Sequence, residues 1–417
     1  MMSAVREDRA ETVPGTVFGL RRSTRRLRWT VLAAMVLLAA GSGRVWAQAE
    51  CLACHGDKTM VDANGHSIAV DGDKFSQSIH GSLDCKVCHA DIKEYPHPAQ
   101  IAKVDCSKCH AEPAAALAGS VHKAKADHPC TSCHGSAHEI FPKSDERSAV
   151  YPLNVPKTCG QCHSTNGMAS KHGLDTVFPK YMDSIHGFAL SKEGLTVAAN
   201  CQSCHGSHGI LSRKDPASPT NKANIAETCG KCHAKLKDDY MAGAHGKAVA
   251  AGNMKAPVCT DCHTAHQILQ PTESEFRMKS TPICGSCHTD KASTYRDTFH
   301  SQLGLLGGYV ETARCWDCHG AHKILPTSDP NSPVNQANLV KTCARCHQGA
   351  NQSFVQYQPH ANARDRKLNP ALFYIRLFMN LLLASVLTFF MIHTALWLIR
   401  ARYNQVKHKG DQGDDNA

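Results

Sequence analysis

The chain has 417 residues and a mass of 45.2 kDa, with 22 Cys, 27 His and only 6% aromatics. It is long enough for two or three ordinary domains, but apolar side chains are too scarce for the interior of a conventional large enzyme, and 20% charged residues with 27 His do not make a solvated tail. The formal charge of +10 does not point to nucleic acid, because +5 of it lies in the first 47 residues and no basic run with interleaved aromatics follows.

Residues 1–47 read as a secretory signal peptide. Arg21, Arg22, Arg25, Arg26 and Arg28 precede an apolar run from Trp29 to Ala40, and Val45-Trp46-Ala47 supplies small residues at the positions expected for cleavage before Gln48.

From Cys51 onward every cysteine belongs to one pattern, CxxCH. In chain order the motifs are Cys51, Cys54 and His55; Cys85, Cys88 and His89; Cys106, Cys109 and His110; Cys130, Cys133 and His134; Cys159, Cys162 and His163; and Cys201, Cys204 and His205. They continue with Cys229, Cys232 and His233; Cys259, Cys262 and His263; Cys284, Cys287 and His288; Cys315, Cys318 and His319; and Cys343, Cys346 and His347. Chance would supply about 0.1 such pentapeptides at these Cys and His frequencies. Two thiols three positions apart on one turn suit addition to the two vinyl groups of one haem, and the following His reaches the iron from the same side. Disulfides or zinc ribbons would not require a His after each second Cys. The expectation is therefore 11 covalently bound haem c groups, whose propionates would make the loaded protein acidic.

The later motifs fall into pairs with similar text, as in CQSCHGSHGILSRKDPASPTNKANIAETCGKCH from Cys201 and CWDCHGAHKILPTSDPNSPVNQANLVKTCARCH from Cys315. This gives a three-haem section over 48–129 and four tandem two-haem repeats over 130–368. Pro, Asp and Ser between paired motifs imply loops rather than strands. The expected fold is mostly irregular with short α-helices, cored by haem.

The His outside the motifs supply candidates for the sixth iron ligand. His80, His122, His186, His245, His300 and His360 precede a motif or follow a pair, His138, His208, His266 and His322 closely trail a motif, and His97 completes a set of eleven. Met60, Met168, Met182, Met241, Met254 and Met278 follow no such pattern, so His/His ligation is expected nearly throughout. His66, His128, His172 and His408 read as surface residues. Which His serves which haem is not readable.

Leu377 to Ile399 form an apolar run of 23 residues without Asp, Glu, Lys or Arg, long enough to cross a bilayer as one helix. The transmembrane helix with its flanks is placed at 369–403 and a cytoplasmic tail at 404–417, with the haem segment in the periplasm. His393 within this run is a candidate for a functional role.

Residues Cys51 to His360 resemble the multihaem c-type cytochromes of the doubled CxxCH motif family. The segment FYIRLFMNLLLASVLTFFMIHTALWLIR resembles the first helix of di-haem cytochrome b subunits that accept electrons from quinol, which implies that any such partner is a separate polypeptide. The resemblance implies a membrane-anchored carrier passing electrons between the quinone pool or a cytochrome b partner and periplasmic or extracellular acceptors, periplasmic redox proteins among them. No catalytic residue is expected on this reading. The alternative is a terminal reductase with one five-coordinate haem, acting on a nitrogen or sulfur oxyanion.

Overall fold

The computed structural model describes residues 48–414 except Ala63, Ala99, 124–128 and 165–172. The signal segment, His128 and His172 lie outside the described residues, as do the side chains from 406 on, that of His408 included. Two compact units share the chain. One runs to Lys171 and takes in Asn200–Gln202 and Gly206–Ile210; the other holds His172–Ala199, Ser203–His205 and everything from Leu211.

No β-strand occurs among the described residues, and one isolated bridge joins Val61 to Ser67. Helices before residue 370 are short, from Cys85–Cys88 to the 12-residue Ser274–Gly285. Helices of this length are marginal by themselves and depend on tertiary support. Side chains supply little of it: the buried apolar residues described are scattered ones such as Val155, Leu190, Ile225, Val258, Phe276 and Leu325. The expectation of an irregular, short-helical fold without a side-chain core is met.

Support comes instead from hydrogen bonds repeated from one motif pair to the next. Between paired motifs the same loop occurs three times. Asn154 Nδ2 donates to Glu146 O and Ser148 O, Asn224 to Pro216 O and Ser218 O, and Asn338 to Pro330 O and Ser332 O, all at 2.7–2.9 Å. Thr158, Thr228 and Thr342 each donate at 2.7 Å to a carbonyl nine residues back. These polar contacts satisfy loop backbone that a strand would otherwise pair. The pair starting at Cys259 lacks this text, and there Ser274–Gly285 forms a helix carrying Pro282 near its end.

A second set of bonds ties each repeat to the next. The backbone N–H groups of Ile79, Val121, Ile185 and Ala244 donate to Ile140, Ile210, Ile268 and Ile324 O at 2.7–2.9 Å. Each donor immediately precedes His80, His122, His186 or His245, and each acceptor lies two residues after His138, His208, His266 or His322. Every stitch therefore brings one upstream and one trailing histidine side by side.

Three of the upstream histidines begin helices. His186, His245 and His300 are the second residues of Ile185–Ser191, Ala244–Ala250 and Phe299–Leu306. Ser184 caps the first by accepting from Gly187 N, and Thr298 caps the third by accepting from Ser301 N. The glycine after the histidine has a steric cause: a Cβ on Gly187 or Gly246 would stand 2.1 or 2.2 Å from the carbonyl oxygen of Tyr181 or Tyr240. Those tyrosines also act as struts, since Tyr181, Tyr240 and Tyr295 donate their hydroxyls to Ala199, Pro257 and Ala313 O, two residues before the next motif.

The last helix, Pro370–Asp414, has 45 residues. Its segment Pro370–Gln405 is long and apolar enough to cross a membrane and none of it is buried. At 1.5 Å per residue the uncharged run alone spans about 35 Å, enough for the hydrocarbon layer.

Because the Tyr240 carbonyl occupies the place of a side chain at residue 246, Gly246→Ala is expected to destabilise the second unit by about 1–3 kcal/mol. Thermal unfolding should show a lowered midpoint; an unchanged one would mean that the turn opens without cost.

Candidate functional site

The eight motifs of the four later pairs occupy two kinds of local structure. The first of a pair is a single turn: Thr131–His134 and the five-residue helices Cys201–His205, Cys259–His263 and Cys315–His319. The second lies at a helix end, with Cys159, Cys229, Cys284 and Cys343 in the last turns of Val155–Gly160, Ile225–Gly230, Ser274–Gly285 and Leu339–Ala344. In both settings the spacing of three puts the two thiols on one face with the histidine beyond them. The described cysteines are all free thiols, so none is committed to a disulfide.

Each motif histidine faces one histidine from outside the motifs. Among first-of-pair motifs the partner trails a later motif or follows the last pair: His89 faces His138, His134 faces His208, His205 faces His266, His263 faces His322 and His319 faces His360. Among second-of-pair motifs the partner lies upstream: His110 faces His80, His163 faces His122, His233 faces His186, His288 faces His245 and His347 faces His300. His55 faces His97. All eleven ring-centre distances fall between 5.9 and 6.2 Å.

That distance has a specific meaning. With about 2 Å from metal to nitrogen on each side and about 1.1 Å from nitrogen to ring centre, two imidazoles on opposite sides of one metal have centres about 6.2 Å apart. Interplanar angles range from 4° to 75°, so the separation is fixed while rotation about the line between the rings is not. Mutual stacking would fix the reverse. Among the described residues no group of three or more His, Cys, Asp or Glu gathers as a metal site, so each of these sites would offer a metal two histidines, which suits a group that brings its other ligands with it. The residues fit covalently bound haem c.

Local hydrogen bonds orient several of the rings. His55 Nδ1 lies 3.0 Å from Ile68 O, His97 Nδ1 2.9 Å from Pro98 O and His360 Nδ1 3.1 Å from Thr294 Oγ1, which leaves Nε2 free to point at a metal. Burial lowers the imidazole pKa of His134, His138, His163, His186, His245, His263, His300, His319, His322 and His360, favouring the neutral form that ligates.

The thiols report how the sites follow one another. In the first unit the thiol of Cys85 is hydrogen-bonded to that of Cys51, Cys130 to Cys106 and Cys159 to Cys201, while Cys88 lies near Cys109 and Cys106, and Cys133 near Cys159 and Cys162. In the second unit the thiol of Cys229 is hydrogen-bonded to that of Cys259 and Cys284 to Cys315, while Cys204 lies near Cys229 and Cys232, Cys262 near Cys287 and Cys318 near Cys343. Within each unit, neighbouring attachment points are therefore near in space as well as in sequence.

Other histidines stay apart. His66 is exposed and pairs with Asp62 at 3.3 Å. His393 is exposed on the long helix with its ring 6.4 Å from that of Phe389. The pairing of the rings and the tyrosine struts escape sequence reading; the spacing of 17 or 18 residues from each Tyr to its acceptor was the available signal for the struts.

The family described as the doubled CXXCH motif matches residues 195–238 and 247–293. A multiheme cytochrome, MtrA of Shewanella baltica (strain OS185), is 26% identical over 182 residues, covering 40% of this chain and 49% of that protein. The chain therefore spans about half the length of this curated relative. No solved structure matches.

If His186 and His233 share one iron, His186→Ala should convert a single haem to high spin. Removing the Cys229 and Cys232 attachment in the same chain should then abolish that high-spin signal. Its survival in electron paramagnetic resonance would assign His186 to another haem.

Proposed function

We propose that this chain, a multihaem c-type cytochrome by its motifs and by both comparisons, holds eleven haems with two histidines each and carries electrons between the quinone pool, or a cytochrome b partner, and acceptors beyond the cytoplasmic membrane. The observation that carries the reading is the set of eleven imidazole pairs at 5.9–6.2 Å. When bound, haem supplies one-electron Fe(III)/Fe(II) chemistry, and a second histidine on the iron would leave substrate no open place on the metal. The chain's own residues do the rest. The cysteines would fix each group covalently, the histidine pairs would hold its iron from both sides, and thiol contacts keep successive attachment points close within each unit. This arrangement favours conduction over bond chemistry and weighs against a terminal reductase.

The membrane side of the proposal rests on Pro370–Gln405. From His360 to Pro370 is ten residues, which reach at most about 35 Å, so the haem held by His319 and His360 is tethered near the membrane if that helix spans it. Electrons would enter or leave the bilayer at this end and exchange with soluble redox partners from the Cys51 end. His393 is proposed to face a membrane redox partner, with the haem segment in the periplasm.

Intact mass of the processed protein should show the polypeptide from Gln48 plus eleven haem additions, and eight or fewer would contradict the count. A form ending at Leu368 should stay soluble and chemically reducible yet lose reduction by quinol in membranes. Undiminished reduction of that form would remove the helix from the electron path. A large high-spin population in the full-length protein, sensitive to nitrite or a sulfur oxyanion, would favour the reductase.

A further inference from the structure

Arg314, the residue immediately before Cys315, is the largest of the fully buried side chains, with 1% of its surface exposed. Its Nε has no hydrogen-bond partner among the described residues. Nη2 lies 3.1 Å from Met278 Sδ and 3.5 Å from Tyr309 O, and the Tyr295 hydroxyl, which donates to Ala313 O, touches the same guanidinium. No carboxylate described stands within ion-pair distance of it. The nearby acids Glu311 and Asp317 face Arg277 instead, at 3.9 and 3.8 Å, and Asp317 accepts only the backbone N–H of Arg314. A guanidinium stays charged in proteins, so a positive charge is held out of water without a protein counter-charge.

The internal repeat shows how room was made for it. His300 to Cys315 and His186 to Cys201 have identical spacing, so residue 304 corresponds to 190 and residue 314 to 200. In the earlier repeat these are Leu190, with 1% of its surface exposed, and Asn200. In the later one they are Gly304 and Arg314, and a Cβ on Gly304 would stand 2.6 Å from Nη1 of the arginine. A buried leucine has been exchanged for a glycine together with a buried cation, and only in this repeat does that cation adjoin the haem attachment point.

We propose that Arg314 is a positioning residue for potential: its buried charge raises the reduction potential of the haem held by Cys315, Cys318 and His319 above that of its counterpart at Cys201, Cys204 and His205. This rests on the haem reading above. The step concerned is addition of one electron to that haem's iron, Fe(III) to Fe(II), with no proton or bond change. Reduction lowers the local positive charge by one, so a fixed cation nearby favours the reduced state, and the absence of water keeps the effect unscreened. The result is a local electron sink in the penultimate motif.

The test uses the full-length, haem-loaded protein in potentiometric titration. Gly304→Leu combined with Arg314→Asn restores the residues of the Cys201 repeat without the charge. Its titration curve should differ from that of the wild type by one electron shifted downward by at least tenfold in equilibrium constant, which is 59 mV for a one-electron couple. Arg314→Lys, which keeps the charge, should follow the wild-type curve. The reciprocal exchange, Leu190→Gly with Asn200→Arg, should raise one component instead and serves if the first pair fails to assemble. Unmoved potentials in either assembled pair, or an Arg314→Lys curve displaced as far as that of the neutral pair, would overturn the proposal and leave Arg314 a packing residue. Haem count by intact mass on the same samples reports separately on the haem reading itself.

Discussion

Two imidazoles held about 6 Å apart is the constraint on which the rest of this structure depends. A separation that uniform across eleven pairs needs each ring anchored to backbone that cannot drift, yet the helices bearing the rings are too short to hold themselves. The stitches from Ile79, Val121, Ile185 and Ala244 resolve this conflict. Each fixes the upstream and trailing histidines of one motif pair against each other, so both facing histidines of a pair are set by a single backbone bond. The final repeat has no such trailing motif, and there Thr294 holds His360 instead.

This arrangement interlocks the repeats. The first motif of every pair borrows its facing histidine from further along the chain, so every repeat but the last is completed by its successor. His134 waits for His208 and His263 for His322. Stability in such an array comes from nearest-neighbour contacts rather than from one central core, as in other repeat proteins. The pair at Cys85 and Cys106 obeys the same rule through His138 and His80, so the repeating logic of the later pairs already operates there, with the Cys51 motif and His97 preceding it.

Electrostatics then distinguishes sites that geometry makes alike. Haem centres with the same ligands would have similar potentials, and differences would arise from burial, charge and hydrogen bonding around them. Arg314 is the strongest such asymmetry described, since its packing partner Gly304 stands where the sister repeat has Leu190.

The sequence by itself determined the chemistry, because thioether attachment requires two thiols and a histidine in one pentapeptide, and no fold is needed to see that Cys51 to His347 repeat this unit. It also marked the eleven facing histidines as a set, since His80, His186 and His245 share their local text and His208, His266 and His322 share theirs, and it marked Leu377 to Ile399 as a candidate span from length and absence of charge. Only the tertiary structure decided who faces whom. A partner 30 to 74 residues away, upstream for one motif and downstream for the next, leaves no local periodicity to read. The same holds for Arg314: in the sequence it is one arginine before one motif, and its burial follows from Gly304 and Met278, brought to it by packing between elements that chain order keeps apart.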